Sequence, residues 1–207
     1  MRIDTHVHTS PGSRCSQMSI KEYLKATNDI GLSTICVTNH GEIGDYEILR
    51  ASAPAGLHVI PGVEISSPDG DFLVFSTDMA FLGSLNAVQA LPGRSARPPD
   101  TAVVWAHPFA GNPGGAGASK EYIRGIAGGV DGIEVFNGNW PDEEASALAR
   151  SIAHENGLAE LGGSDSHRLD SLMRCHSIFT RKITNAAELV AAIMDRQTVA
   201  ARALKKG

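Results

Sequence analysis

Short apolar runs alternate with amphipathic stretches along the chain, the pattern of β and α segments taking turns around a mainly parallel sheet. Apolar runs at residues 2–5, 34–38, 58–60 leading into Val63, 72–76, 102–106, 132–136 and 159–161 predict strands, and 177–180 predicts a late one. Between them, residues 19–30 open on Ser19, carry Glu22 three positions on and end before Gly31, which brackets a helix. Residues 141–156 read the same way. Asp142, Glu143 and Glu144 crowd the first turn, where the helix dipole favours them, and Gly157 marks the stop. Residues 185–196 predict a third helix. The glycine-rich stretch 111–118, directly after His107, predicts a flexible loop and a candidate lid.

Composition narrows the function classes. A chain of 207 residues suits one sizeable core, so one domain over residues 1–207 is the expectation. The net charge of −5, with no run of lysine or arginine, gives no electrostatic footprint for nucleic acid or an anionic membrane. A small soluble substrate is the better fit. The first residues lack a secretory pattern, and no stretch approaches the ~18 apolar residues of a membrane span, so the expected location is cytoplasmic. Cys15, Cys36 and Cys175 lie far apart, which argues for free thiols over a zinc knuckle or a dithiol.

The histidines change the picture, because five of the eight sit in or beside short polar signatures that follow predicted strands. In parallel barrels and open sheets, active sites assemble at those strand ends. The first strand runs into Asp4-Thr5-His6-Val7-His8, where a period of two puts both imidazoles on one side, within reach of one metal. The second ends at Thr38-Asn39-His40. Pro61-Gly62-Val63-Glu64 sets one carboxylate in an apolar segment, where burial without a partner would cost several kcal/mol. A solvated glutamate at a strand end is the competing reading. His107 follows residues 102–106, and Gly162-Gly163-Ser164-Asp165-Ser166-His167 places Asp165 and His167 two apart, its glycines permitting a tight backbone. Imidazole with carboxylate and no thiolate suits zinc, manganese or iron better than calcium or magnesium. His58, His154 and His176 fall at no strand C-terminal end and read as structural. So do Trp105 and Cys36, while Trp140 either packs or lines a pocket.

Together D-T-H-V-H, V-T-N-H, P-G-V-E, A-H-P and G-S-D-S-H resemble the PHP family, named for polymerase and histidinol phosphatase, in the family's order and over nearly the whole chain. The resemblance implies an α/β fold, a distorted (β/α)7 barrel with two or three divalent metal ions at the C-terminal face of its strands. It implies that His6, His8, Glu64 and Asp165 hold a first ion, that Glu64 bridges to a second held by His107, and that His40 and His167 serve a third. The implied activity is hydrolysis of a phosphate ester, mono- or diester, of a small phosphorylated substrate by a metal-activated water. Asp4 is then expected to orient a ligand, Glu134 to do the same or touch substrate, His40 or His167 to act in catalysis by passing a proton to the leaving group, and Arg168 to clamp a phosphate oxygen or stay solvated. The chain departs from the family pattern at three places. Phe72 and Leu73 stand where another histidine is common, residues 13–16 offer Cys15 in place of an acid or histidine, and Asn39 replaces an aspartate. Those departures keep two alternatives open: a metal-binding accessory domain without turnover, and a metal-dependent amide hydrolase.

Overall fold

In the computed structural model, which describes residues 1–110 and 119–203, local capping chemistry sets the helix limits. Ser19 accepts from the Glu22 amide and Glu22 reaches back, a capping box that starts α1 (Ile20–Asp29). Asp142 caps α5 (Glu143–Asn156), which ends at left-handed Gly157, and Asn185 caps α6 (Ala186–Met194). Three further helices, α2 (Gly44–Ser52), α3 (Met79–Ser84) and α4 (Lys120–Ala127), complete the described set. The candidate lid at 111–118 lies outside the described residues. Among the described residues no helix is long and apolar enough to cross a membrane.

Among the described residues the strands are β1 (Arg2–Ile3), β2 (Thr34–Val37), β3 (His58–Pro61), β4 (Val63–Ser67), β5 (Gly70–Ser76), β6 (Thr101–Ala106), β7 (Gly132–Asn137), β8 (Ala159–Gly163), β9 (Cys175–Phe179) and β10 (Thr198–Arg202). They form a mixed α/β fold with sheets ordered β1-β9-β10, β2-β3 and β4-β5-β6-β7-β8. The expectation of a mainly parallel sheet needs correcting. Only β2/β3, β6/β7 and β7/β8 pair parallel, and β4/β5, β5/β6, β1/β9 and β9/β10 pair antiparallel. The reason is local for β4 and β5: Ser67 pairs with Gly70 across Pro68-Asp69, a link far too short for a parallel crossover.

The run from 58 into Val63 is also two strands and not one. At Gly62 the backbone passes over Phe75 and Thr38, where a Cβ would sit 2.7 and 2.9 Å from their side chains. β3 therefore stays with β2 while β4 turns to β5. The strand extensions are linked as well: Thr38 donates to the Val7 carbonyl at 2.9 Å, His8 to Ser166 at 3.0 Å and Gly41 to Glu64 at 3.0 Å.

Alternation along β4, β5 and β7 sorts the core. Val63, Ile65, Phe72, Val74, Ile133 and Val135 face the helices, while Leu73 and Phe75 face the enclosed side together with Ile60, Val104 and Leu161, beneath Leu189 and Ile193 of α6. Period two then puts Glu64 and Glu134, flanked by outward-facing neighbours, on the enclosed side. Both are 2% exposed.

Candidate metal centre

All seven residues named as ligands from the sequence come together above the apolar interior. His6, His8, Glu64 and Asp165 are buried, His107 nearly so, and His40 and His167 stand at the solvent side. Their ligand atoms form overlapping groups with mutual distances under 4.8 Å: His6-His8-Glu64, His6-His107-Asp165, His8-His40-His167 and Glu64-Asp71-His107.

The hydrogen bonds fix which ring nitrogens remain available. His6 Nδ1 lies 3.2 Å from Glu134 Oε1, an acceptor only, so Nδ1 carries the proton. Ser13 spends its hydroxyl proton on Asn39 Oδ1 at 3.0 Å and therefore accepts from His8 Nδ1 at 3.1 Å. His167 Nδ1 donates to the Asp165 carbonyl at 2.9 Å. The Nε2 atoms of His6 and His8 are thus left as acceptors, yet they face each other at 3.0 Å. Both also face carboxylate oxygens, at 3.3 and 3.1 Å from Glu64 Oε2 and at 3.5 and 3.3 Å from Asp165 Oδ1. Glu64 Oε2, with His40 Nδ1 also 3.1 Å away, makes no hydrogen bond despite full burial. Acceptors converging on one point, four of them from four residues, call for positive charge at that point.

The electrostatics agree. Burial opposes charge on His6, but Glu64, Asp165 and Glu134 hold its imidazole well above the ordinary value. Burial would likewise raise Glu64, but His6 and His107 hold it well below the ordinary carboxylate range, and His6 and His8 do the same for Asp165. Burial pushes His40 and His167 down, which keeps their lone pairs free for a cation.

Two of these residues have positive φ, His107 at 25° and Asp165 at 52°, an uncommon backbone conformation that aspartate and histidine adopt more readily than most side chains. The glycines before Asp165 serve close approach and not a turn. Gly163 lies in β8, where a Cβ would fall 2.3 Å from Glu134 Oε1 and 2.4 Å from His6 Cβ.

Around the ligands the supports differ from the sequence reading. Glu134 binds the His6 ring and also accepts from the His107 amide at 2.9 Å. Asp4 does not reach an imidazole. It accepts from the backbone amides of Ser164 at 2.8 Å, Met173 at 2.9 Å and His6 at 3.4 Å, and so clamps β1 to the segment after β8. Burial raises its pKa to about 6, against the pull of Ser164. Arg168 is exposed and paired with Asp170 at 3.4 Å. Cys15 Sγ sits 3.1 Å from His167 Nε2.

Two contributors were missed. Asp71, its Oδ2 3.8 Å from His107 Nδ1, stands next to the position where Phe72 had suggested a lost ligand. Asp45 Oδ2 receives Asn39 Nδ2, Thr9 Oγ1 and the Gly12 amide, so a carboxylate still supports the Asn39 segment. An acidic residue opening a strand was the available signal for Asp71. Asp45 gave none.

A family model described as PHP-associated matches residues 143–198. A stretch of 69 residues is 33% identical to the PolC-type DNA polymerase III of Lacticaseibacillus paracasei, covering 33% of this chain and only 5% of that protein. Among solved structures, PsfC from Pseudomonas syringae superposes with a TM-score of 0.72 at 20% identity, over 99% of this chain and 92% of that one. A candidate metal-dependent phosphoesterase from Bifidobacterium adolescentis gives 0.65 at 15% identity, over 94% and 96%. The lesion-specific endonuclease of Pyrococcus furiosus gives 0.67 at 15% identity, over 96% and 57%. The PHP-associated match and the PolC-type segment make the chain similar to proteins of the PHP family over those stretches, and the solved structures share its fold.

Proposed function

We propose that the chain hydrolyses a phosphate ester of a small substrate at a centre of two or three divalent ions, zinc, manganese or iron. The observation that carries this is the convergence of His6 Nε2, His8 Nε2, Glu64 Oε2 and Asp165 Oδ1, all acceptors, within 3.0–3.5 Å along the contacts between imidazole and partner. These four would hold a first ion. Glu64 with His107 would hold a second, with Asp71 beside them, and His40 and His167 a third alongside His8. Bound there, divalent ions supply Lewis-acid polarisation of the phosphoryl group and an acidified water. A bond from water oxygen to phosphorus forms as the bond to the alcohol breaks, and the alcohol departs with a proton. His40 or His167, half-exposed above the buried ligands, is the group placed to pass that proton if no ion engages it. Arg168 is a phosphate clamp only if it leaves Asp170.

Two further things support the reading. The relatives include a protein named as a candidate metal-dependent phosphoesterase and one named as an endonuclease, both cleaving phosphate esters by name. The linked extensions of β1, β2, β4 and β8 fit a distorted (β/α)7 barrel with the ligands at one mouth. The test is metal quantification on the native protein beside Asp165→Ala, with a phosphate-ester screen of both. Bound metal and turnover in the native protein, both lost in the variant, is the expected result. Equal metal content in the two would overturn the ligand set.

A further inference from the structure

Beside the polar cluster lies a space of opposite character. A cavity of about 320 Å³ runs between the segment after β6, strand β7 and the inner face of α5. Its inner wall includes His107 and Glu134, which also touch Glu64 and His6, each at 3.2 Å, so the cavity and the metal-ligand cluster share two residues. Phe109, Val135, Ala145 and Ala149 form the sides, and Trp140 forms the rim with 47% of its surface exposed.

Several of the polar groups on its border are already engaged, while the exposed Asn139 side chain stays at the outer edge. Asn137 Nδ2 donates to Glu134 Oε2 at 2.8 Å, and Asn137 Oδ1 accepts from the amides of Asn139 and Trp140 at 2.8 and 3.1 Å. Asp142 Oδ1 caps α5 at Ala145, and the Ser146 hydroxyl donates to the Asp142 carbonyl at 2.6 Å. A hydroxyl-rich group entering here would lose water and find few partners, whereas an apolar ring gives up nothing. The same Asn137 bonds fix the backbone of Trp140 and so keep that residue at the cavity rim.

We propose that this cavity receives the group esterified to the phosphate, that this group is a planar aromatic one, and that Trp140 is the residue that selects it. The inference rests on the phosphoesterase reading for the placement of the phosphate at the His107 end. The test uses full-length protein loaded with Mn²⁺ and compares 2-phenylethyl phosphate with propyl phosphate, whose alkoxide leaving groups are alike, so that a difference reports the ring. The expected preference in kcat/KM is about tenfold or more for the phenylethyl ester. Trp140→Ala should remove most of that preference and Trp140→Phe should retain it. Ala149→Leu, which fills the cavity from α5, should remove it with metal content intact.

The same comparison is made by calorimetry with 2-phenylethylphosphonate and propylphosphonate, which bind without turnover. Equal kcat/KM for the two esters, or an equal loss for both in Trp140→Ala, overturns the proposal. If neither ester is hydrolysed but the phenylethylphosphonate binds about tenfold tighter in a Trp140-dependent way, the aromatic site stands and the phosphoesterase reading falls. If the protein does not distinguish the two phosphonates, the aromatic site falls whatever the turnover.

Discussion

The enclosed side of the strands has two regions built from neighbouring residues that share almost no physical property. Under α6, Ile60, Leu73, Phe75, Val104 and Leu161 are fully buried and wholly apolar. At the other end His6, His8, Glu64 and Glu134 are as deeply buried and wholly polar. On β4 and β5 the boundary falls inside one register pair, Glu64 opposite Leu73. Burial stabilises the first region unaided, because it removes apolar surface from water. The second gains nothing from burial until a cation gathers its acceptors, since each buried carboxylate has lost its hydration. The apolar end should therefore hold the fold, and the polar end should hold the chemistry at some cost to the metal-free protein.

The largest effect belongs to the polar end. Glu64→Ala removes the carboxylate whose oxygens face four imidazoles, and we expect turnover to fall by about 10³-fold or more with metal loss measured by mass spectrometry. In metal-free protein its unfolding midpoint in urea should fall, but by less than that of Phe75→Ala, because the lost pairing with His6 and His107 is partly offset by the desolvation cost that goes with it. Phe75→Ala is the mirror case. It should cost about 3–5 kcal/mol in urea unfolding, while the molecules that remain folded bind metal at native stoichiometry. A metal-free Glu64→Ala protein destabilised as much as Phe75→Ala would break the comparison.

Glu134→Gln sharpens it on a smaller scale. The amide keeps an acceptor for the His107 backbone but loses the charge that steadies the proton on His6 Nδ1. Metal affinity, read by competition with a chelator, should weaken about 10–100-fold with the fold intact. An unchanged affinity would reduce Glu134 to packing.

The polar end was far more legible in the sequence than the architecture around it. His6, His8, Glu64, His107 and Asp165 announce themselves because polar residues interrupt apolar runs at strand-like spacing. Asp71 does not, because beside Gly70 at the start of a run an aspartate looks like turn chemistry. Asp45 is hidden for another reason: its partners Thr9 and Gly12 are distant in sequence, and local spacing carries no trace of them. The break at Gly62 is invisible in a continuous apolar run, so strand direction was misread there. Helix α2 follows Ile43, which gives no side-chain cap, and α3 and α4, though capped by Asp78 and Ser119, are only six and eight residues long, so their signals were weaker than those of α1 and α5. β10, five residues with little alternation, was missed in the same way.

The smallest effect tests whether buried polarity outside the centre behaves differently. His176 on β9 is 5% exposed, and its Nδ1 has no hydrogen-bond partner. Burial pushes its pKa below the ordinary 6.5, Arg2 adds to the decrease and the Met173 backbone pulls the other way. With the folded value depressed, the unfolded chain takes up the proton first as the pH falls. The His176 contribution to stability is therefore fully present above about pH 6.5 and is lost as the pH drops through the folded value. Urea unfolding of metal-free protein between pH 8 and 5 should show His176→Gln losing less stability than the native chain over the acid half of that range. The two should run in parallel above it. The centre shows the opposite tendency, because carboxylates raise His6, His8 and His107 while burial lowers His176. Superposable acid limbs for native and variant would mean that His176 is already solvated in the folded state, and that burial of an imidazole at this site has no consequence for its charge.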